Sequence, residues 1–450
     1  MASTYLTRTI TTNNPTGRKT MTLSVWLKRA TASATNMIFA TGTGSERDMI
    51  LFESDGKLQF SRYDSSYIYQ LKTNRQFRDT SAWYHFVFVY DSTQSTSSDR
   101  LKIYVNGVQE TSFATASYPS QDYQSNYSQS TYTQTLGRDT DGNFPFDGCM
   151  SHVNYIDGTA LTPSTFGSTD STTGEWKINT SPSVTYGTNG FFLLKDDNSN
   201  LDRGGSNNFT INGTLTKTED NPSNNFATLN AVSFHEANFS LSNGANTMAT
   251  GNNTAWNNAI CSTLVATGGK FYWEAKWTDG DSYSIIGIIE AKEIHRCATS
   301  VTGSGSDIYF VANAIQTDNG GGSPQRYRLV NSDDNISISA PPGCIMQFAL
   351  DCENRKFWFG VNGTFYNSGN PATGANPTWD TTDIPANGEF VPYAQGYKIS
   401  GATAFQFNFG NGYFGTTAVS SAGTNASNNG IFEYDVPSGF TALSTKGLNL

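Results

Sequence analysis

The sequence contains no apolar run approaching the roughly 18 residues that a helix needs to cross a bilayer. Its first residues, MASTYLTRTITTNN, also lack the apolar stretch of a secretory signal. We therefore expect no membrane insertion and no export by that route. The expected site of synthesis and folding is a cytoplasm.

Charge is also scarce, and it is unbalanced. Only 15% of the residues are charged, and 28 Lys and Arg face 38 Asp and Glu, which gives a net charge of −10. An acidic and weakly charged surface disfavours binding to phosphate backbones and to anionic membranes. We therefore expect no nucleic-acid partner.

Cysteine is rare and unpatterned. The five cysteines are an odd number, and none of them forms a CxxC pair. This usage indicates reduced thiols rather than a disulfide framework, as expected of a chain that folds in a cytoplasm.

Aromatic side chains, by contrast, are abundant. They make up 13% of the 450 residues, beside 42 glycines and many Ser, Thr and Asn. Such an aromatic content excludes a disordered chain. Because helix-favouring residues are sparse, the composition indicates short strands joined by turns, in two or three domains.

Two hairpins are visible in the first half. Leu23, Val25 and Leu27 alternate with polar or larger residues, and a turn at Asp55-Gly56 separates the next two strands. WYHFVFVYD (83–91) and LKIYVNGVQETSF (101–113) form a second pair around the turn Asn106-Gly107. Asn-Gly and Asp-Gly supply the positive φ angles that two-residue hairpin loops require. Alternation on these strands predicts one buried face.

The second half repeats this pattern without a convincing amphipathic helix. Strands are predicted at 270–277, 283–291, 345–369, 390–397 and 403–410. The segment TKTEDNPSNN has no apolar pattern and indicates a boundary. The predicted fold class is all-β, with two antiparallel β-sandwich domains at 1–215 and 231–450 joined by a linker at 216–230.

The strands of each half resemble a known family. WYHFVFVYD followed by RLKIYVNGVQ, and then FPFDGCMSHVNYIDGTALTP, is similar to laminin-G-like jelly rolls of the concanavalin A type over roughly residues 5–165. GKFYWEAKW, KFWFGVNGTFYNSGNPATG and FVPYAQGY with FQFNFG resemble the SPRY domain. Each resemblance implies an antiparallel sandwich, and neither fold dictates a function. The SPRY resemblance also implies partner binding at loops between strands, here 298–325 and 366–383.

The order of these modules carries a further resemblance. A laminin-G-like sandwich, a SPRY-like sandwich and a tail with Pro437, Gly439, Phe440, Ala442 and Leu443 are similar to appendage proteins of tailed bacteriophages from aquatic habitats. The resemblance implies a protein of the virion surface, such as a tail fibre, a tail-associated protein or a capsid decoration. Its implied partners are other virion proteins, further copies of the chain, with a trimer as one arrangement, and a glycan or protein on the host surface.

Catalytic motifs are missing. Glu53, Glu110, Glu274 and Glu290 have no second carboxylate two or four residues away on the same strand face, which leaves no pair for glycoside hydrolysis. The four histidines are scattered, and His85 lies in a predicted core strand. We therefore predict a protein that is not an enzyme. The alternatives are a hydrolase of concanavalin A-like fold and a purely structural protein that braces a particle.

The predicted recognition site is a polar loop dotted with tyrosines. Residues 117–135 contain Tyr118, Tyr123, Tyr127 and Tyr132 among Ser, Asn and Gln. Tyrosine offers a flat apolar face and a hydroxyl, which is the chemistry of antibody paratopes. These side chains are predicted to stack on sugar rings or, equally, to pack against a neighbouring subunit.

The predicted metal site is an acidic turn that comes shortly after this loop in the sequence. Asp139, Asp141 and Asn143 surround a glycine turn, and Asp147 comes four residues later. Hard cations favour such oxygen ligands, so calcium is the candidate cofactor, although the spacing is not that of an EF-hand. The competing interpretation is an ordinary acidic turn.

Overall fold

The computed structural model describes residues 4–195, 199–234, 239–250, 253–278, 282–298, 312–317, 325–327, 334–335, 338–386, 388–398 and 403–449. These residues form strands and short 3₁₀ turns, and no α-helix occurs among them. No helical segment in this described part is long and apolar enough to span a membrane. The chain divides into two compact units, Met1–Lys217 and Thr218–Leu450. The fold is all-β, as predicted.

The first unit contains sixteen strands among its described residues, with 3₁₀ turns at Ser97–Asp99 and Pro163–Thr165. The strands are β1 (Tyr5–Thr9), β2 (Thr20–Arg29), β3 (Asn36–Thr43), β4 (Glu46–Phe52), β5 (Lys57–Asp64), β6 (Ser66–Gln76), β7 (Tyr84–Asp91), β8 (Leu101–Val105), β9 (Val108–Gln109), β10 (Phe113–Ser117), β11 (Thr133–Leu136), β12 (Gly148–Asp157), β13 (Gly167–Thr169), β14 (Trp176–Ile178), β15 (Phe191–Leu193) and β16 (Thr210–Asn212).

Two antiparallel sheets of this unit enclose one core. The larger has eight strands in the order β10-β6-β5-β4-β3-β11-β1-β16, and the smaller has six in the order β15-β12-β2-β7-β8-β9. Strand pairing places one continuous apolar row across the larger sheet, and all of its members are buried in the core: Leu6, Leu136, Phe39, Ile50, Phe60 and Leu71. Side chains alternate between the two faces of a strand, so the residues directly before and after each member of this row point away from the core.

The Asn106-Gly107 turn joins β8 to β9 and has the predicted geometry. Both residues have positive φ angles, 48° and 81°, as a type I′ turn requires. A Cβ added to Gly107 would lie 2.4 Å from Cζ3 of Trp176. Glycine is therefore needed here both for the turn and for the close approach of that indole.

Residues beyond 167 complete the sandwich. β15 pairs with β12 in the smaller sheet, and β16 pairs with β1 in the larger one. Trp176 Nε1 donates to His85 Nδ1 at 3.0 Å, and burial lowers the pKa of His85 to about 3. His85 is thus a neutral, buried acceptor that anchors this extension to the sheet.

The second unit contains seventeen strands among its described residues, with 3₁₀ turns at Ala291–Ala298, Tyr366–Ser368, Pro371–Thr373 and Gly447–Asn449. The strands are β17 (Leu229–Phe234), β18 (Phe239–Ser242), β19 (Thr247–Thr250), β20 (Asn253–Ser262), β21 (Lys270–Trp277), β22 (Ser282–Glu290), β23 (Ala312–Thr317), β24 (Gln325–Tyr327), β25 (Asp334–Asn335), β26 (Ile345–Asp351), β27 (Lys356–Val361), β28 (Thr364–Phe365), β29 (Phe390–Lys398), β30 (Thr403–Asn408), β31 (Tyr413–Phe414), β32 (Thr417–Ala418) and β33 (Thr441–Ala442).

These strands also form two main sheets. One has the order β17-β20-β29-β22-β23-β24-β25, and the other has the order β18-β19-β30-β21-β26-β27-β28, with β33 parallel to β21. Stacked aromatic rings fill the core between them: Phe348 packs on Trp273 with ring centroids 5.5 Å apart, and Trp379 packs on Phe357 at 4.9 Å.

The predicted linker, 216–230, differs from the structure over its last residues. Phe226 and Leu229 are buried in the second unit, and the Ala227 amide donates to the carbonyl of Leu443 at 2.9 Å. The residues before Phe226 are polar, and this pattern suggested a linker. The segment that pairs with residues 226–230 lies more than 200 residues later, so the local sequence does not reveal the pairing. Residues 226–230 are therefore the first core segment of the second unit.

The tail is held by one buried carboxylate on β21. Glu274 accepts hydrogen bonds from the amides of Glu433 and Tyr434, each at 2.9 Å. The Tyr272 hydroxyl also donates to it, at 2.9 Å, as does Asn408 Nδ2, at 3.3 Å. Burial raises the pKa of Glu274 to about 7, although these donors act in the opposite direction. The tail is thus part of the folded unit.

Candidate functional site

The tyrosine loop, residues 117–135, is anchored in the core by one of its four tyrosines. Tyr127 is completely buried and packs against Phe39, with ring centroids 6.2 Å apart. The prediction that its ring stacks on a sugar is therefore wrong for this residue. The composition of the loop matched a paratope, but composition does not specify which way a side chain points.

A buried carboxylate holds this loop in place. Asp48, on β4, accepts the Asn126 amide at 2.6 Å and pairs with Arg62 Nη1 at 3.0 Å. The Tyr69 hydroxyl donates to the same carboxylate. Burial raises the pKa of Asp48, while Arg62, Tyr69 and the amide oppose that rise.

The other three predicted tyrosines are partly buried. Tyr118 packs against the core, and the ring of Tyr123 lies 5.7 Å from the Arg62 guanidinium carbon. The Tyr132 hydroxyl donates to Glu46 Oε2 at 2.9 Å. Each therefore contributes to the attachment of the loop.

The acidic turn predicted to bind calcium is paired with an arginine. Arg47 Nη1 lies 2.7 Å from Asp139 Oδ2 and 2.5 Å from Asp141 Oδ2. The Asp139 side chain has no exposed surface, whereas that of Asp141 is 39% exposed. A cation at these two carboxylates would have to displace the guanidinium.

The two remaining predicted ligands do not complete a coordination shell. The carbonyl of Asn143 accepts the Asp139 amide at 3.0 Å. Asp147 is partly buried, which raises the pKa of its carboxyl to about 6. Within the described ranges, no group of three His, Cys, Asp or Glu residues is arranged to hold a metal ion.

The structure reveals a different candidate, on the larger sheet's outer face. Strand pairing aligns one residue from each of β11, β3, β4, β5 and β6. We call these five residues the outer row: Thr133, Gly42, Arg47, Tyr63 and Tyr67. With neighbouring strands about 4.8 Å apart, the row extends over about 19 Å. The position of β11 beside β3 is set by a contact between distant strands, so the local sequence does not identify the full row.

Two tyrosines form the exposed end of the outer row. The rings of Tyr63 and Tyr67 meet edge to face, with centroids 5.4 Å apart, and Tyr67 is 47% exposed. Gln59 Nε2 donates to the Tyr67 hydroxyl at 3.3 Å and accepts, through Oε1, from Gln70 at 2.7 Å. This end combines an aromatic surface with amide groups held in fixed positions.

A polar cleft of about 220 Å³ forms the other end. We call it the Arg138 cleft. Its walls carry aromatic, hydroxyl and charged groups: Tyr5, Thr7, Gly42, Thr133, Thr135, Arg138, Asp139 and Asp141. It is smaller than the roughly 300 Å³ at which pockets for drug-sized ligands begin, so it accommodates one unit of a larger ligand.

The second unit offers a larger cleft of about 620 Å³. Lys270 lines it, 3.1 Å from Asp351 and 5.8 Å from the centre of the Phe440 ring. Most of the loop 298–325, predicted to bind a partner, lies outside the described residues, apart from β23. The other predicted loop, 366–383, contributes the buried Trp379.

Comparison with known proteins adds the following. The chain is similar to the SPRY domain of human HERC1, at 16% identity over 38% of this chain and 91% of that one, with a TM-score of 0.27. It is similar to a heptameric SAP-like pentraxin from Limulus polyphemus, at 17% identity over 47% of this chain and 89% of that one, with a TM-score of 0.30.

A third similar structure is domain 4 of AbnA, a GH43 extracellular arabinanase from Geobacillus stearothermophilus, in complex with arabinotriose. The identity is 20% over 32% of this chain and 64% of that one, with a TM-score of 0.26. A search of curated proteins found no match. Residues 3–167 match the family model of the concanavalin A-like lectin/glucanases superfamily.

Proposed function

We propose that the first unit binds saccharides along the outer row and that the chain is not an enzyme. The observation that carries the proposal is the row itself, which joins a tyrosine pair to a polar cleft over about 19 Å. Aromatic faces pack against the apolar faces of sugar rings, while hydroxyl, amide and guanidinium groups bond to their hydroxyls. A concanavalin A-like domain is consistent with this chemistry.

Tyr67→Ala tests this proposal. Removal of the exposed ring is expected to weaken binding of a tetra- or pentasaccharide about tenfold, because an aromatic contact contributes on the order of 1 kcal/mol beyond its buried area. Isothermal titration calorimetry with hits from a glycan array measures the change. Tyr118→Ala, in the tyrosine loop, is the comparison variant and should leave affinity unchanged.

The opposite result would contradict the proposal. If Tyr118→Ala weakens binding while Tyr67→Ala does not, the sugar binds at the loop. A thermal melting curve for each variant separates loss of a contact from loss of folding.

We place this binding unit on a virion surface, as the phage-appendage resemblance implies. Weak sites repeated on one particle gain avidity through effective concentration, so single-site affinities in the micromolar range suffice. The proposed partners are other virion proteins, further copies of the chain and a host-surface glycan or protein. Cryo-electron microscopy of the intact particle, with the chain located in the map, tests this setting, and light scattering of the purified chain tests for a trimer.

A hydrolase is the second candidate, because the Arg138 cleft contains two carboxylates. Asp139 and Asp141 both contact Arg47 Nη1. In a glycosidase the two carboxyl groups flank the scissile bond, about 5 to 9.5 Å apart. Here one is fully buried, and both are paired with a guanidinium, so binding without hydrolysis is expected. Release of reducing ends from the array hits, abolished by Asp141→Asn, would overturn this expectation.

A further inference from the structure

Arg138 lies on an aromatic ring inside the cleft. Its guanidinium carbon is 4.4 Å from the centre of the Tyr5 ring. Gly142, with φ 92°, permits this position, since a Cβ there would lie 1.8 Å from Arg138 Nη2. Stacking on Tyr5 orients the guanidinium plane and reduces the entropy that it would lose on binding a ligand.

Arg138, which lines the cleft, and Arg47, which contacts its two aspartates, differ in their partners. Arg47 contacts two carboxylates. Arg138 makes no ion pair or side-chain hydrogen bond with any residue that the structure describes, and its Nε atom is buried without an acceptor. In a chain with ten more acidic than basic residues, a half-buried guanidinium without a carboxylate is conspicuous.

The other arginines with buried side chains have acceptors. Arg29 donates to the carbonyl of Phe77 at 2.6 Å, and Arg62 pairs with Asp48. The Nε atoms of all three arginines lack an acceptor among the described residues, but only Arg138 also leaves its Nη groups without one. These Nη donors can therefore bond to an acceptor that the ligand supplies.

We propose that the Arg138 cleft binds the carboxylate of an acidic sugar, so that the saccharides recognised by the first unit contain uronic acid residues. This inference rests on the proposed function and names its substrate class. A guanidinium offers two parallel N–H groups that match a carboxylate, and the paired bond adds specificity as well as affinity. The hydroxyls of Thr7, Thr133 and Thr135 line the same cleft and are available to the ring hydroxyls of that sugar.

Charge in the cleft favours a bond at Arg138 over a general attraction. Asp139 and Asp141 share one guanidinium, that of Arg47, so the cleft carries no excess of positive charge that would attract anions in general. Selectivity for an acidic sugar therefore depends on this one guanidinium. A neutral sugar would leave its N–H groups less well satisfied than a carboxylate does.

The test uses tetramers of galacturonate, glucuronate and mannuronate, each beside its methyl ester. The ester keeps the ring shape and removes the charge. The unaltered chain should bind at least one acid about tenfold or more tightly than its ester, as expected for a charge-assisted bond. Arg138→Ala should remove this preference by weakening the acid only, and Arg138→Lys should restore part of it.

Arg75→Ala is the matched control. Arg75 also lies over an aromatic ring, with its guanidinium carbon 4.9 Å from the centre of Phe77, but it is exposed and outside the cleft. The Arg75→Ala substitution changes the net charge by the same amount as Arg138→Ala and should leave the preference for the acid over its ester intact. Melting curves of both variants establish that they are folded.

Two results would overturn the inference. One is equal affinity of the unaltered chain for every acid and its ester, and the other is an acid preference that survives in Arg138→Ala. Neutral saccharides that bind in a Tyr67-dependent manner would then leave the proposed function standing alone. If no saccharide of any kind binds, the proposed function itself fails.

Discussion

Each unit of the molecule uses a buried carboxylate to hold a segment that is distant in sequence, but the charges of the two carboxylates are compensated differently. Asp48 holds the loop through the Asn126 amide and has a cationic partner, Arg62. Glu274 holds the tail through two backbone amides and has only neutral donors. The comparison indicates that the first carboxylate is compensated by an ion pair as well as by neutral donors, and the second by neutral donors alone.

The largest expected effect comes from breaking the ion pair. Asp48→Asn leaves the buried Arg62 with only the longer pair to Glu46, at 3.8 Å, which should lower the free energy of unfolding of the first unit by about 3–5 kcal/mol. Hydrogen exchange followed by mass spectrometry localises the loss to β4–β6 and residues 122–132. Asp141→Asn, at the exposed pair with Arg47, should cost under about 1 kcal/mol. Equal costs would show that burial does not distinguish the two pairs.

Next in size is the pH dependence of the second unit. The folded pKa of Glu274, about 7, lies above its ordinary value of 4.5, so the folded state keeps a proton that the unfolded state releases. Stability from this group is complete below pH 4.5 and is lost as the pH rises through 7, a change of about 3 kcal/mol. Glu274→Gln should flatten this slope in calorimetric scans between pH 4.5 and 8. An unchanged slope would assign the pH dependence to other groups.

The smallest expected loss of stability comes from removing single hydroxyl groups that donate to the two buried carboxylates. Tyr69→Phe and Tyr272→Phe each remove one donor from the buried carboxylate, at a cost of about 1–3 kcal/mol. Between pH 8 and pH 5 the cost at Tyr272 should fall as Glu274 becomes protonated. The Arg62 charge opposes protonation of Asp48, so the cost at Tyr69 should change less over the same range. Urea unfolding at both pH values measures this difference. Parallel behaviour of the two variants would contradict the distinction between the carboxylates.

Local patterns predicted the fold class because alternation and turn chemistry operate over a few residues. The Asn106-Gly107 turn and the buried row through Phe60 are examples. Site residues were predicted less well because their environments depend on distant partners. Tyr127 is buried in a loop that is held by a hydrogen bond between Asp48 and the Asn126 amide. These two residues are 78 positions apart in the sequence. Likewise, Arg47 meets Asp139 only after β3, β4 and β11 have paired.

The pairing of early and late segments also has a consequence for synthesis. In the first unit β1 pairs with β16, and in the second Phe226 forms a bridge with Ser444. Each sandwich can therefore close only after its last segment has left the ribosome. A chain that terminates before residue 432 would lack the two backbone donors to Glu274 and four buried side chains of the tail, Phe432, Val436, Phe440 and Ala442. Such a product would expose the aromatic rings of Tyr272 and Trp358, which pack against these side chains in the complete chain.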